Sequence, residues 1–256
     1  MRSATHCGRG APRPMGKNYL VDGKQVINRL FRNAKTGKKC RVELMEVIPM
    51  MRVLGRLTSI NVRKVTWALD VLGQPYAQED WGLPLRDPKV PEFLALNPNG
   101  TIPVLIDGDF SMWESNAILV YLADRDGDGK LLPPDPFGKA RALQWLSWQV
   151  SDLNPAWMYA VYALLRKIPG YDEPNHIDAS IQRWTAKMEV LEAELAEGGP
   201  FIGGADFSIA DIVLALSCHR WFQTPFERTH LAAVEDYYKR LRAEGPGAIW
   251  MADEYV

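Results

Sequence analysis

The stretch from residue 97 to 124, NPNGTIPVLIDGDFSMWESNAILVYLAD, constrains the fold more than any other part of this chain. Asn97-Pro98-Asn99-Gly100 is a turn by its residue types. An X-Pro bond at Ile102-Pro103 opens a short strand over residues 103–106, and a second strand over 110–112 follows around Asp107-Gly108-Asp109, so the pair reads as a hairpin. An acid and a hydroxyl, Glu114 and Ser115, then start a helix. A turn, hairpin and helix in this order can hold a small peptide-like molecule by its backbone and by both charged ends.

Upstream, residues 52–57 form a β-prone run. Thr58-Ser59 follows, and then an apolar stripe at Val62, Val65, Leu69 and Leu72, spaced for one helix face. Gly73, with Pro75 just beyond, stops that helix. Residues 76–80 suit another strand and residues 91–96 a short helical turn. The order βαβ, then α, ββ, α makes a small α/β unit over residues 51–125. After a Gly/Asp/Pro-rich linker at 126–136, residues 137–256 read as helices only. Residues 137–168 form a long helical stretch that Pro155 must kink or break. The next helix carries Ile177, Ile181, Trp184, Met188, Leu191 and Leu195 as one buried stripe, ended by Gly198-Gly199-Pro200. Ser208-Ile-Ala-Asp211 is a capping box before an apolar run, and a last helix spans residues 231–242.

Residues 1–50 hold eleven Lys/Arg against three acids, which leaves nineteen against twenty-eight in the remainder. The body is mildly acidic, and no nucleic-acid partner is expected from bulk charge. The first fifty residues are basic, weakly periodic and free of acids as far as residue 21, but they have one serine and no clear amphipathic stripe. They are expected to be a disordered or mis-assigned extension, with the true start at Met50 or Met51; a basic tail for an anionic surface is the alternative. Cys7, Cys40 and Cys218 are too few and too scattered for a disulfide framework, which fits a reducing cytoplasmic setting. No apolar run approaches the ~18 residues of a membrane span, so no membrane partner is expected.

Five pieces in order carry a family resemblance: Thr58-Ser59-Ile60-Asn61, Lys89-Val-Pro-Glu, Asn-Pro-Asn-Gly-Thr-Ile-Pro, Glu-Ser-Asn-Ala-Ile and Ser208-Ile-Ala-Asp211. With the α/β unit and the helical part behind it, the chain from Met51 to about Arg242 resembles cytosolic glutathione transferases, nearest the serine-type theta and phi classes and bacterial nu-like enzymes. The resemblance implies a thioredoxin-like N-terminal domain, with a cis bond before Pro103, followed by an all-α helical-bundle domain. It also implies glutathione as co-substrate, a small-molecule electrophile, no metal, and a homodimer. Residues 52–61 contain neither the tyrosine of the alpha, mu and pi classes nor the cysteine of the omega and beta classes, and Thr101 stands where phi-like members often have Gln or Lys.

The roles implied are chemically coherent. A free thiol ionises near pH ~8.5, and only the thiolate attacks. Ser59, at a helix start where orphan N–H groups favour an anion, is the expected donor to the glutathione sulfur. Thr58 is the adjacent substitute, and Asn61 matches the asparagine of nu-like members. Ile102 offers its backbone N–H and C=O to the cysteinyl segment beside Pro103. Glu114 accepts the α-ammonium, Ser115 takes the α-carboxylate, and Lys89 reaches the glycine carboxylate. Trp157 and Tyr162 are candidates for the pocket of the second substrate. The thiolate serves conjugation, peroxide reduction or disulfide reduction alike, and the rival reading is a non-catalytic ligand- or protein-binding module. The sequence starting at Asp124 imitates a calcium loop, but Asp135 replaces the chelating Glu at position twelve and two prolines precede it; it reads as linker. His176, His219 and His230 lack metal-ligand spacing. Cys218 reads as core and Asp211 as a cap.

Overall fold

The computed structural model describes residues 16–21, 24–29, 50–125, 129–243 and 245–255. The chain divides into two units, Met1–Met50 and Met51–Val256. In the first, Gly16–Val21 (β1) and Lys24–Arg29 (β2) pair antiparallel, with Gly16 opposite Arg29 and Val21 opposite Lys24. The sequence reading gave this segment no secondary structure. Composition hid the signal, because Asp22-Gly23 between the strands is itself a two-residue hairpin signature. The rest of that extension lies outside the described residues.

The second unit opens with Met51–Leu54 (β3), Ile60–Leu72 (α1), Tyr76–Glu79 (β4), Pro91–Leu94 (α2), Val104–Asp107 (β5), Phe110–Trp113 (β6) and Ser115–Arg125 (α3). Its sheet runs β4-β3-β5-β6, with β3 and β4 parallel and the other pairs antiparallel. β3 stops three residues earlier than its β-prone run suggests. Beyond Leu54 the backbone turns, and the Ser59 N–H donates to the Arg56 carbonyl at 3.0 Å. The pleat sorts side chains by face: Met51, Val53 and Leu105 enter the main core, while Leu54 and Val104 join Trp81 and Phe93 in a smaller cluster on the other side.

The helices that follow are Pro136–Trp148 (α4), Asn154–Ala160 (α5), Pro174–Gly198 (α6), Ile209–Gln223 (α7), Ala232–Ala243 (α8) and Gly245–Trp250 (α9). Pro155 does not break its helix. Two widened turns, Gln149–Leu153 and Val161–Leu165, flank α5, and hydrogen bonds there reach five residues back: Asn154 N–H to the Gln149 carbonyl, and Arg166 N–H to that of Val161. The looser turn upstream makes room for the pyrrolidine ring, which a regular turn would crowd. The α6 stripe is buried from Trp184 to Leu195, with Ile177 and Ile181 half-buried. α7 is buried on every side from Ile209 to Trp221 and forms the axis of the bundle. α9 was invisible in the sequence because Gly245-Pro246-Gly247 reads as a turn. One hydrophobic core joins the inner face of the sheet, α1 and the bundle.

Candidate functional site

Strand register fixes where the predicted residues meet. Leu54 pairs with Val104, and Val104 with Trp113, so the end of β3, the start of β5 and the end of β6 lie at one end of the sheet. The segments leaving that end are 55–59, Ile102-Pro103 and Glu114-Ser115, which brings Ser59, Ile102, Pro103, Glu114 and Ser115 into one neighbourhood.

Ser59 is the N-cap residue of α1, half-buried and extended in backbone, yet its hydroxyl makes no capping hydrogen bond. Ser208 occupies the same position on α7 and behaves differently: its hydroxyl accepts from the Ala210 N–H at 3.2 Å, and Asp211 accepts from the Ser208 N–H at 2.8 Å. Two serines at two helix starts thus have distinct states, one committed to the cap and one left free to donate. Thr58 is less free, because its hydroxyl accepts from the Arg56 guanidinium. Asn61 lies half-buried in the first turn of α1.

The Ile102–Pro103 bond is cis, as the resemblance implied, and the β5 ladder begins only at Val104, which leaves the Ile102 backbone outside it. Buried Asn97 ties down the preceding turn, donating to the Thr101 carbonyl at 2.8 Å while its own oxygen accepts from the Asn99 N–H at 3.0 Å. Gly55 sets the distance between Ile102 and α1. A Cβ there would lie 2.4 Å from Val62 Cγ2 and 3.2 Å from Ile102 Cβ. Gly55→Ala should therefore displace one or the other, costing about 1–3 kcal/mol of stability and weakening retention on immobilised glutathione; unchanged Tm and retention would show that the contact yields freely.

Glu114 is exposed and held at φ 73°, a left-handed backbone that a residue with a Cβ adopts at a cost of about 1–2 kcal/mol. Its carbonyl accepts from the Ile118 N–H at 2.9 Å. Ser115, the first residue of α3, is buried. Lys89 lies across the Gly100 turn and donates to the Asn99 carbonyl at 2.6 Å. In this structure its ammonium is spent on that turn. Trp157 is buried in the bundle, its indole N–H donating to Asn154 Oδ1 at 3.1 Å, while half-buried Tyr162 packs edge-on to Tyr171.

A set of buried cations on α1 and α7 escaped the sequence reading. Arg63 and Lys64 sit in the first turns of α1 but are only 2 % and 1 % exposed. Arg63 donates to the Trp250 carbonyl at 2.8 Å, and Lys64 to Asn116 Oδ1 at 3.0 Å and Gln149 Oε1 at 3.2 Å. Arg220 of α7 is 5 % exposed, with its guanidinium carbon 4.5 Å from the centre of the Trp157 ring. Burial, then Arg166 and Arg63, pushes the Arg220 guanidinium down to about 9. Burial, then Arg220, pushes the Lys64 ammonium down to about 7 against the pull of Glu114. Two adjacent cations within an apolar helix start were the available signal. Among the described residues, no group of His, Cys, Asp and Glu is arranged to hold a metal, and no helix is long and apolar enough to cross a membrane.

Comparison with known proteins bears on the family and the fold. Residues 54–130 match the family model of the glutathione S-transferase N-terminal domain, and residues 174–247 that of the C-terminal domain. Glutathione S-transferase GstB of Escherichia coli K12 is 34 % identical over 194 residues, covering 75 % of this chain and 93 % of the relative. The disulfide-bond oxidoreductase YfcG of the same strain is 31 % identical over 166 residues, 60 % of this chain and 72 % of YfcG. Among solved structures, the theta class glutathione S-transferase of Xanthomonas axonopodis pv. citri with glutathione bound superposes with a TM-score of 0.73 at 30 % identity, over 78 % of this chain and 96 % of that one. A thioredoxin-like sheet, a helical bundle behind it and these matches identify the chain as a member of the glutathione S-transferase family and an enzyme of that class.

Proposed function

We propose that this enzyme binds glutathione along the edge formed by Ile102, Pro103, Glu114 and Ser115, with Lys89 released from its turn to meet the glycine carboxylate. Ser59 donates to the sulfur, favouring the thiolate, which attacks a small-molecule electrophile; Asn61 and Thr58 stand beside it. On this reading residues 51–125 bind glutathione, 126–136 link, and 137–256 form the side of the second substrate, with Trp157 and Tyr162 contributing there. The free hydroxyl of Ser59 at the start of α1 carries the proposal. A donor aimed at an anion, with the helix N-terminus behind it, lowers the pKa of that anion's conjugate acid. Peroxides and disulfides are alternative electrophiles for the same thiolate, and the likeness to a disulfide-bond oxidoreductase makes disulfides the second choice. A cytoplasmic homodimer is part of the reading, supported by apolar Phe110, Trp113 and Val150 left exposed on a single chain.

The test is an ultraviolet pH titration of the bound glutathione thiolate, in the wild type and in Ser59→Ala. The bound pKa should lie more than about one unit below the free thiol's ~8.5, and Ser59→Ala should raise it and lower kcat/KM about a hundredfold. A depression that survives the substitution would shift the role to Asn61 or the helix terminus. No depression in the wild type would leave only a binding module.

A further inference from the structure

Arg56 lies on the segment that runs from the end of β3 to Ser59, and hydrogen bonds hold that segment to the chain beside it. The Gly55 N–H donates to the Glu79 carbonyl and the Arg56 N–H to the Trp81 carbonyl, both at 2.8 Å. Gln78 Nε2 donates to the Gly55 carbonyl at 2.6 Å, and the Ser59 N–H to the Arg56 carbonyl at 3.0 Å. The half-buried Arg56 side chain passes two further pieces of the site. A Cβ built on Gly82 would lie 3.5 Å from Arg56 Nε, 3.6 Å from its Cδ and 2.7 Å from Ile102 Cδ1. At its far end, Arg56 Nη1 donates to the Thr58 hydroxyl. One arginine side chain therefore reaches, by contact, from the residue next to Ser59 to the surroundings of Ile102.

No carboxylate among the described residues lies within ion-pair distance of Arg56. The acids of the adjoining segment are engaged elsewhere: Glu79 with Arg52 at 2.6 Å, and Asp80 as acceptor from Gln78 at 3.0 Å. Arg56 Nε is buried without an acceptor. A guanidinium drawn out of water ordinarily finds a carboxylate, because desolvating it alone is expensive. This one has a neutral hydroxyl instead. A threonine hydroxyl carries one proton and two lone pairs, so accepting from Arg56 leaves its proton unspent. Among the described residues the Thr58 hydroxyl donates to nothing else. A hydroxyl that accepts from a cation is polarised and becomes the better donor.

We propose that Arg56 is a positioning residue that makes the Thr58 hydroxyl a second donor to the glutathione sulfur, beside that of Ser59. The proton stays on Thr58; the relay works by polarisation alone. The inference rests on the thiolate chemistry proposed above and adds a charged support to it.

Ultraviolet titration of the bound thiolate in full-length variants tests this. Arg56→Gln should raise the bound pKa by about 0.5–1, and Arg56→Lys, which keeps a charged donor, should recover part of that. Glutathione affinity below the bound pKa should stay within about twofold of wild type, which a merely structural loss would not allow. Thr58→Val should give the same rise and Thr58→Ser the wild-type value. Because the two residues act as one unit, Arg56→Gln should add nothing in a Thr58→Val background. A rise that persists undiminished there would mean that the guanidinium acts through space, and would overturn the relay. A wild-type pKa in Arg56→Gln and Thr58→Val, with Ser59→Ala still raising it, would overturn this inference and leave the Ser59 reading standing. No depression in the wild type would sink both. Thr58→Val leaves the backbone bonds of Arg56 in place, so its pKa decides the matter if Arg56→Gln fails to fold.

Discussion

Asp211→Ala should destabilise the protein by about 4 kcal/mol and lower Tm by roughly 8–16 °C. The carboxylate is fully buried and gathers four donors: the Ile202 N–H at 2.8 Å, the Ser208 N–H at 2.8 Å, the Ser208 hydroxyl at 3.2 Å and the Tyr237 hydroxyl at 3.0 Å. Alanine leaves all four facing a void. It also unlocks the start of α7, the helix against which α1, α4 and α8 pack. Asp211→Asn keeps one acceptor but sets an amide N–H against existing donors, so about half the loss is expected. Thermal and urea denaturation of the two variants check the order; an Asp211→Ala protein as stable as wild type would mean that water replaces the carboxylate.

The second large effect depends on pH. Lys64 is held near pKa 7 in the fold, against 10.5 when exposed, because burial, then the nearby Arg220, disfavours its charge. Between those values the unfolded chain binds the extra proton, so unfolding takes one up and stability rises with pH. The slope is about 1.4 kcal/mol per pH unit, or about 2 kcal/mol from pH 7.5 to 9. Lys64→Met should remove that slope and be more stable than wild type near pH 7, even though it leaves Asn116 Oδ1 and Gln149 Oε1 without this donor. Each amide still donates elsewhere, Asn116 to the Leu146 carbonyl at 3.0 Å and Gln149 to Asn154 Oδ1 at 2.8 Å. Urea titrations at both pH values decide the matter. An undiminished slope in Lys64→Met would assign the pH dependence to other groups.

Periodicity and caps made much of the architecture legible before any coordinates. The Val62–Val65–Leu69 stripe, the hairpin around Gly108, the α6 stripe and the Ser208–Asp211 box all follow from local rules that tertiary context left in force. What stayed hidden came from context. An amphipathic pattern reveals the face of α1 that meets the sheet, but not that its other side, with Arg63, Lys64, Thr66 and Trp67, is covered as well. For the same reason the pattern says nothing of the burial of Arg63 and Lys64. Ser59 and Ser208 look alike in one dimension, and only geometry tells the occupied hydroxyl from the free one. Of the kink or break expected at Pro155, the break does not occur, because the widened turn before it accommodates the ring.

The covering of α1 on both sides has a mechanical meaning. The helix that begins after Ser59 buries side chains against both the sheet and the bundle, within one hydrophobic core. A disturbance of the bundle, at Trp184 or Asp211 for example, therefore reaches the Ser59 end of α1 through a single cooperative block, and loss of activity on heating should coincide with melting of the whole unit.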